Sequence, residues 1–209
     1  MGNTPEAHHA GARAPERAVE PAVVNIVGEK VALGPLRRDL LRDYQRWIND
    51  FQVMRTRSRP PRPASLEEQR REYEHLAVSD DYHFFTVYDR ATRRPIGDTG
   101  LMGVDWRNRT AAFAISIAEP AYRGRGYGTE TARLMLDYAF TALGLHSVVL
   151  TVFAFNLAGL RAYAKAGFRE VGRRRQCRLL AGRWWDEVHM ECLASEFASP
   201  VPGRIFAPG

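Results

Sequence analysis

A glycine-rich stretch between a strand-like run and a helix-like run constrains this chain more than any other feature. It reads Ala121-Tyr122-Arg123-Gly124-Arg125-Gly126-Tyr127-Gly128-Thr129-Glu130. Three glycines in five positions free the backbone and remove side chains from it. Just before a helix, such a loop presents unpaired N–H groups at the positive end of the helix dipole, where phosphate binds well. The sequence therefore predicts an anion site here, with the rest of the chain as its scaffold.

The length and composition are those of one globular domain. The chain has 209 residues, of which 45% are hydrophobic and 26% charged, which suits a single hydrophobic core. Residues 1–24 are rich in Ala, Pro, Glu and Arg, and residues 198–209 hold further prolines and glycines. We predict a flexible N-terminal tail over 1–24, one domain over 25–197, and a C-terminal tail over 198–209.

Charge and cysteine content exclude several classes of protein. The net charge is +6. The excess arginines either face solvent, or they produce a field that attracts an anionic ligand. The basic residues are scattered without interleaved aromatics, so we expect no nucleic-acid partner. No run of eighteen apolar residues and no signal-peptide core occurs, so we expect no membrane partner and a cytoplasmic location. Cys177 and Cys192 are too few for a zinc site, and we expect no metal and reduced thiols.

Hydrophobic patterning predicts alternating strands and helices in the order β-α-α-β-β-β-α-β-α-β-β, an α/β (α+β) class. Ser65 and Glu68 form a capping box that starts the second helix. The strand over Thr110–Ala118 has one bulky and one small face, and either a helix or an elongated ligand lies along the small one. Ser147–Phe153 is almost wholly apolar and is predicted to be buried on both faces. A final hairpin is predicted around Ala181-Gly182.

The glycine loop taken alone matches no dinucleotide motif. Its glycines do not have the Rossmann spacing, and the Gly-Lys-Ser/Thr ending of a P-loop is missing. It remains a strand–loop–helix unit whose amides grip a pyrophosphate, with Arg123 and Arg125 available for charge-assisted hydrogen bonds.

A second motif follows about thirty residues later and makes the combination specific. It consists of Asn156, Tyr163, Lys165, Gly167 and Phe168. With Arg123, Gly126 and Gly128 of the loop, it resembles the GNAT superfamily of N-acetyltransferases. The resemblance covers about residues 28–197. Within the superfamily, the chain is most similar to the RimJ/RimL-type and spermidine N-acetyltransferases.

The resemblance implies a mixed, mostly antiparallel central sheet flanked by helices, with splayed central strands. It implies an acetyl-CoA-dependent N-acetyltransferase, in which an amine attacks the thioester directly in a ternary complex. Backbone groups near Ile115, Ile117 and Ala118 would hold the pantetheine arm. The loop residues would bind the pyrophosphate, namely Arg123, Gly124, Arg125, Gly126, Tyr127, Gly128 and Thr129. Asn156 would bond the pantetheine or anchor the strand end.

Two catalytic residues are predicted within this frame. Tyr163 stands where the family places the hydroxyl that protonates the departing thiolate, and a core tyrosine is the alternative. The base is less clear, because Ala112 and Thr151 stand where many relatives carry an acid. Glu119, at the end of the central strand, is the first candidate, and a strand-end surface acid is its alternative. The other candidates are Asp98, Asp105 and His83.

The resemblance implies that substrate selection comes from residues 36–82 and 172–190. Both regions are rich in arginine and aromatic residues, which favours a neutral or anionic amine over a polyamine. A non-catalytic acyl-CoA-binding or regulatory module on the same fold is the alternative function. The acyl chain, the acceptor and the oligomeric state, including a homodimer, stay open.

Overall fold

One eight-stranded mixed sheet organises the protein, with helices on both faces. The structure is a computed structural model that describes residues 22–58 and 61–199. The predicted tails over 1–24 and 198–209 lie almost entirely outside those ranges. The strands are β1 (Ile26–Val27), β2 (Val31–Pro35), β3 (Tyr82–Asp89), β4 (Pro95–Asp105), β5 (Thr110–Ile117), β6 (Ser147–Phe153), β7 (Arg169–Leu180) and β8 (Arg183–Leu193). The α-helices are α1 (Leu41–Asn49), α2 (Phe51–Met54), α3 (Leu66–Leu76), α4 (Tyr127–Asp137) and α5 (Leu157–Ala166).

The element order confirms the predicted series and adds two short elements to it. Strand β1 and helix α2 have only two and four residues, too few for a periodic signal. The first helix of that series begins as a 3₁₀ turn (Arg38–Leu40) and continues as α1. Helix α4 continues as a single π turn over Tyr138–Ala142.

The sheet confirms the predicted fold class. Its strand order is β1-β2-β3-β4-β5-β6-β8-β7. Every neighbouring pair is antiparallel except β5 and β6, which are parallel. The β5–β6 register contains three pairs and ends at Ala112 and Val149. Beyond that pair the two strands part, and a gap opens between their carboxyl-terminal halves.

The two faces of β5 have different surroundings. Phe113, Ile115 and Ile117 face the main core, which is shared with buried residues of α4. The opposite face carries Ala112 and Ala114, which are half-buried.

The prediction that β6 is buried on both faces is wrong. Val149 is 40% exposed and Thr151 is also exposed. The register places Val149 beside Ala112, so this face of β6 continues the small face of β5. The apolar run of β6 therefore reflects one buried face together with β-branched residues that suit an open strand surface.

Local signals set several element boundaries. Ser65 caps α3, because its hydroxyl accepts a hydrogen bond from the Glu68 amide at 3.1 Å. The Glu68 side chain does not complete the capping box and instead pairs with Arg62. The β7–β8 hairpin turns at Ala181 and Gly182, both with positive φ, as a two-residue turn requires. Within the described part of the chain, no helix is long and apolar enough to cross a bilayer.

Candidate active site

The glycine loop passes from the end of β5 into α4 with two left-handed residues. Gly124 has φ +71° and Gly126 has φ +91°, conformations that glycine adopts without strain. Gly126 is the N-cap of α4 and has no side chain to accept the first helical N–H groups. The amides of Tyr127, Gly128 and Thr129 therefore lack the usual side-chain cap at the positive end of the helix. This geometry suits an anion.

Backbone carbonyls hold the side chains of the two loop arginines, so their guanidinium groups are not free to bind phosphate. The Arg123 guanidinium donates to the Ile117 carbonyl at 2.9 Å and to the Ala118 carbonyl. Arg125 donates to the Ala121 carbonyl at 3.1 Å. Both side chains thus brace the loop, which leaves its backbone to face a ligand.

A lysine from a distant part of the chain joins the loop. The Lys30 ammonium donates to the Arg125 carbonyl at 3.1 Å, and a Cβ added to Gly126 would lie 3.2 Å from its Nζ. The Lys30 amide donates to Glu130 Oε1 at 2.9 Å, which fixes the β1–β2 turn against the first turn of α4. Sequence reasoning missed Lys30, because nothing local to it indicates a partner 95 residues away.

Tyr127 ties the loop to the neighbouring β3–β4 turn. Its hydroxyl donates to Asp89 Oδ2 at 2.8 Å, and its ring packs edge-on against Tyr122. These contacts give Tyr127 a bracing side chain, while its backbone amide remains part of the helix start.

The gap between β5 and β6 exposes backbone groups of β5. The carbonyl of Ala114 faces β4, where it accepts from the Thr99 hydroxyl at 2.9 Å. The Ala118 amide also faces β4 and donates to the Ile96 carbonyl at 2.8 Å. Because successive residues of a strand alternate in direction, the backbone groups of Ile115 and the amide of Ile117 face the gap. Three residues were predicted to hold the pantetheine arm through their backbone. Of these, Ile115 and Ile117 face the gap, whereas the Ala118 amide faces β4.

Tyr163 lies on α5 and reaches the same region. Its ring packs edge-on against Phe113 of β5 and against Phe168, with centroids 6.2 Å and 6.1 Å away. Burial raises the pKa of Tyr163 to about 12. In the described ranges, no protein hydrogen bond to its hydroxyl is present, so that group is free to donate to a ligand.

Asn156 caps the helix that carries Tyr163. Its Oδ1 accepts a hydrogen bond from the Gly159 amide at 3.0 Å. A Cβ at Gly159 would lie 2.6 Å from the Asn156 Nδ2, so the carboxamide rests directly on that glycine. This geometry serves the predicted anchoring role, and the Nδ2 remains as a donor.

Glu119 is buried and held by three positive or donor groups. It is 7% exposed. Its Oε1 accepts from Arg46 at 2.6 Å and from the Trp47 indole at 2.9 Å, and Arg94 lies 3.6 Å from Oε2. Burial raises the pKa of Glu119, but the bonds from Trp47 and Arg46 and the arginine charges outweigh it and lower that pKa overall.

The remaining candidate bases lie in different places. Asp98 pairs with Ser116 of β5 in the sheet register, and Arg57 Nη2 contacts both of its carboxylate oxygens at 2.9 Å and 2.8 Å. Asp105 lies at the other end of β4 and caps a turn at Asn108. His83 contacts the Tyr138 hydroxyl at 3.1 Å, next to the π turn. Of these three, Asp98 alone lies beside the carboxyl-terminal half of β5.

A cavity opens on the face of the sheet opposite α4, between α1, α3 and strands β3 and β4. We call it the α1–α3 cavity. Its volume is about 70 Å³, above the roughly 10–15 Å³ that one water requires. Its lining includes Tyr44, Trp47, Gln69, Glu72, Phe84 and Asp98.

The fold and this site define a class of protein. Residues 30–169 match the acetyltransferase (GNAT) domain family, so the chain belongs to the GNAT acetyltransferase family. The prediction of an acetyl-CoA-dependent N-acetyltransferase is thereby confirmed at the level of the family.

Particular relatives agree with this assignment. The probable N-acetyltransferase YjcK of Bacillus subtilis is 32% identical over 125 residues, 58% of this chain and 69% of that protein. The spermidine N(1)-acetyltransferase of Escherichia coli K12 is 30% identical over 168 residues, 77% of this chain and 84% of that protein.

A solved structure extends the similarity to three dimensions. The spermidine N-acetyltransferase of Vibrio cholerae, in complex with CoA and spermine, superimposes with a TM-score of 0.74. It is 29% identical, and the match covers 80% of this chain and 97% of that one.

Proposed function

We propose that this enzyme binds acetyl-CoA with its pyrophosphate at the loop over 123–129 and its pantetheine arm along the β5–β6 gap, and transfers the acetyl group to a primary amine. One observation carries the proposal. The uncapped N–H groups at the start of α4 lie at the same end of the sheet as the unpaired half of β5. A ligand with an anionic group and an extended polar arm fits that pair of features.

The loop backbone supplies the main anion contacts in this proposal. The amides of Tyr127, Gly128 and Thr129 donate to the pyrophosphate. Gly124 and Gly126 give the loop its shape, and Lys30 adds a positive charge beside it. Arg123 and Arg125 act by bracing the loop.

The pantetheine arm is held by strand-like hydrogen bonds. The backbone of Ile115 and the amide of Ile117 face the gap and can pair with its amides, as an added strand would. The Asn156 Nδ2 is a further donor at the end of β6. The CoA complex of the Vibrio cholerae relative supports a CoA ligand on this fold.

The reaction in this proposal is direct acyl transfer. The amine nitrogen attacks the thioester carbonyl, a C–N bond forms, and the C–S bond breaks. Backbone N–H groups near Ile115 and Ile117 stabilise the developing oxyanion. The leaving thiolate takes a proton from the Tyr163 hydroxyl, which regains it from solvent. The ammonium releases one proton to solvent before the attack and a second after it, so the product amide keeps one N–H.

Glu119 has a positioning role in the mechanism that we favour. Its lowered pKa and its three partners leave it a weak proton acceptor. The same contacts hold α1 over the end of β5, so that Glu119 fixes one wall of the α1–α3 cavity. The prediction that it acts as the base is tested below.

The proposal is tested by donor binding and thiol release. Purified protein is titrated with acetyl-CoA by calorimetry and then assayed for free thiol with a panel of primary amines and peptide N-termini. We expect binding and amine-dependent thiol release. Gly126→Ala places a Cβ at φ +91° and should weaken acetyl-CoA binding on the order of tenfold, since left-handed strain displaces the loop.

Gly144→Ala is the matched control. Gly144 lies shortly after the π turn that continues α4. It has φ +64° and open space around it. It should lose similar stability and keep its acetyl-CoA affinity. CoA binding without thiol release from any amine would instead indicate the non-catalytic acyl-CoA-binding module. Equal affinity losses in both variants would count against the loop as the anion site.

A further inference from the structure

We propose that Arg178 of β7 recognises a carboxylate on the acceptor, so that the acceptor class is a primary amine that also carries a carboxylate group. The inference rests on the proposed function, because it names the chemistry of the second substrate of that reaction. Its support is the position of the Arg178 guanidinium, the bulge that aims it, and the lack of a carboxylate partner for it among the described residues.

The Arg178 guanidinium lies at the open end of the β5–β6 gap. Its Cζ is 4.9 Å from the centroid of the Phe153 ring, and Phe153 is the last residue of β6. Phe153 shares a face of β6 with Val149 and Thr151, because alternate residues of a strand point to the same side. The pairing of β6 with β5 ends at Val149. An anionic group held by Arg178 would therefore lie at the mouth of the gap.

Two backbone carbonyls connect Arg178 to the other side of that mouth. The guanidinium donates to the carbonyls of Arg57 and Ser58, both at 3.4 Å. The Arg57 side chain in turn contacts Asp98 at 2.8 Å, and Asp98 is the partner of Ser116 of β5 in the sheet register. The Arg178 side chain thus spans the mouth between the end of β6 and a segment anchored beside β5.

A bulge in β7 aims the Arg178 side chain. The register of β7 against β8 shifts between Arg174 and Arg178, so that residues 175–177 lie opposite Asp186 alone. Within the bulge, Gln176 has φ +48°, a left-handed conformation that residues other than glycine rarely adopt. Its amide donates to Asp186 Oδ1 at 3.0 Å, which holds the bulge in place. Bulges of this kind re-aim side chains next to functional sites.

The guanidinium has donors that the described residues do not use. Arginine carries five N–H donors. In the described part of the chain, the polar contacts of Arg178 are the two neutral carbonyls at 3.4 Å, and its Nε is buried without a hydrogen-bond partner. Contacts of that length are weak. A carboxylate would replace them with charge-assisted hydrogen bonds, which are shorter and stronger.

The setting of Arg178 favours one carboxylate over other charged ligands. Its side chain is half-buried against Phe153, which itself stacks on Phe155 with ring centroids 5.5 Å apart. A partly desolvated charge without a counter-ion is costly, so an anion that binds there stabilises the complex. A single guanidinium matches one carboxylate in charge and in its planar fork. A doubly charged phosphate would leave a charge unmatched, and a polyamine would be repelled.

The experiment is a calorimetric titration of CoA-saturated protein with three pairs of ligands, each an amino acid and its uncharged amide. The pairs are glycine with glycinamide, 4-aminobutyrate with 4-aminobutanamide, and 6-aminohexanoate with 6-aminohexanamide. In the pair whose length fits, we expect the acid to bind about tenfold more tightly than its amide. Arg178→Gln should reduce this ratio to below about twofold by weakening the acid alone, and Arg178→Lys should keep part of it.

Arg183→Gln is the matched control. Arg183 lies on β8 of the same hairpin, with its Cζ 4.2 Å from the centroid of the Trp185 ring, and its loss should leave the acid-to-amide ratio unchanged. A general loosening of the hairpin would weaken acid and amide alike, so the ratio separates recognition from structure. The proposal is overturned if no acid binds more than about twofold more tightly than its amide. It is equally overturned if the ratio survives in Arg178→Gln, or if Arg183→Gln abolishes it as well.

The proposed function has a separate readout. A protein that shows the acid preference but releases no thiol from acetyl-CoA would contradict acyl transfer and leave recognition by Arg178 standing. Thiol release at the same rate with each acid and its amide would contradict that recognition and leave acyl transfer standing.

Discussion

At the scale of single residues, Arg123 and Arg125 brace the glycine loop, although the sequence predicted them to be phosphate ligands. The backbone amides of the loop are the groups that face the proposed anion site. Arg123 bonds to the Ile117 carbonyl at the end of β5 and Arg125 to the Ala121 carbonyl, and these bonds make the loop more rigid while they occupy both guanidinium groups. A rigid row of amides binds an anion without the entropy loss of ordering long side chains. The acid role proposed for Tyr163 is different, because that hydroxyl has no protein partner in the described residues.

Tyr163→Phe tests that acid role. We expect kcat to fall about 10²-fold, with acetyl-CoA affinity within twofold, because the ring contacts with Phe113 and Phe168 are retained. Burial raises the pKa of Tyr163 to about 12, and the protonated form is the active acid. The wild-type kcat should therefore show no descending limb from this group below about pH 10, measured as a pH–rate profile.

Tyr82→Phe on β3 is the control for a lost phenol outside the site. An unchanged kcat in Tyr163→Phe would show that the thiolate leaves without a proton from the Tyr163 hydroxyl. A descending limb near pH 8 that disappears in Tyr163→Phe would contradict the raised pKa.

At the scale of elements, α1 is the helix that connects the two halves of the site. Trp47, at 2% exposed, packs with Val53 and with Ala118 just after β5. Glu119 holds the same helix through Arg46 and Trp47. One carboxylate thus positions a wall of the α1–α3 cavity against the end of the strand that faces the donor gap.

Glu119→Gln separates anchoring from base catalysis. The folded-state pKa of Glu119 lies below its ordinary value, so its stabilising effect is present above that ordinary value and is lost as the pH falls through the lower folded-state pKa. We expect the free energy of unfolding to drop by about 1–2 kcal/mol at pH 7. The difference from wild type should shrink toward pH 3 in urea titrations.

Glu74→Gln, which removes an exposed pair, should change stability by less than about 0.5 kcal/mol. A Glu119→Gln variant with wild-type stability, a much lower kcat and a lost acidic limb in its pH–rate profile would identify Glu119 as the base instead.

At the scale of the whole molecule, the basic side chains outnumber the acidic ones on the surface beside α4. The surface beside α4 is lined by Lys30, Arg133 and Lys165 together with Glu29 and Glu130, within a chain of net charge +6. The α1–α3 cavity on the other face is lined by both signs of charge, namely Arg57, Asp98 and Glu72. The net positive charge would attract a polyanionic donor to this surface.

The KM for acetyl-CoA should therefore depend on salt. We expect it to rise about three- to tenfold between about 50 and 500 mM NaCl, because ions screen the field around the loop. Thermal unfolding in the same buffers provides the control for stability. A KM that stays constant over this range would show that contact hydrogen bonds alone account for donor affinity.

The local sequence determined the glycine loop, the capped helices, the β7–β8 turn and the Asn156–Tyr163 helix. Each depends on residues within a few positions of one another, where backbone preferences act directly. The family resemblance followed from the spacing of two such local motifs. The order of the elements along the chain followed from hydrophobic patterning, and the mixed, mostly antiparallel sheet was implied by the resemblance.

Only the tertiary structure decided the contacts that set the chemistry. Lys30 meets the loop across 95 residues, Trp47 meets Glu119 across 72, and Arg57 meets Asp98 across 41. Such pairs depend on sheet register and helix placement, which a local pattern does not encode. Arginines in the sequence indicated a site for a neutral or anionic amine, whereas Arg57, the arginine lining the described cavity, is paired with a carboxylate. The candidate donor loop could be predicted because its residues are close in sequence, whereas the α1–α3 cavity could not because it is assembled from distant elements.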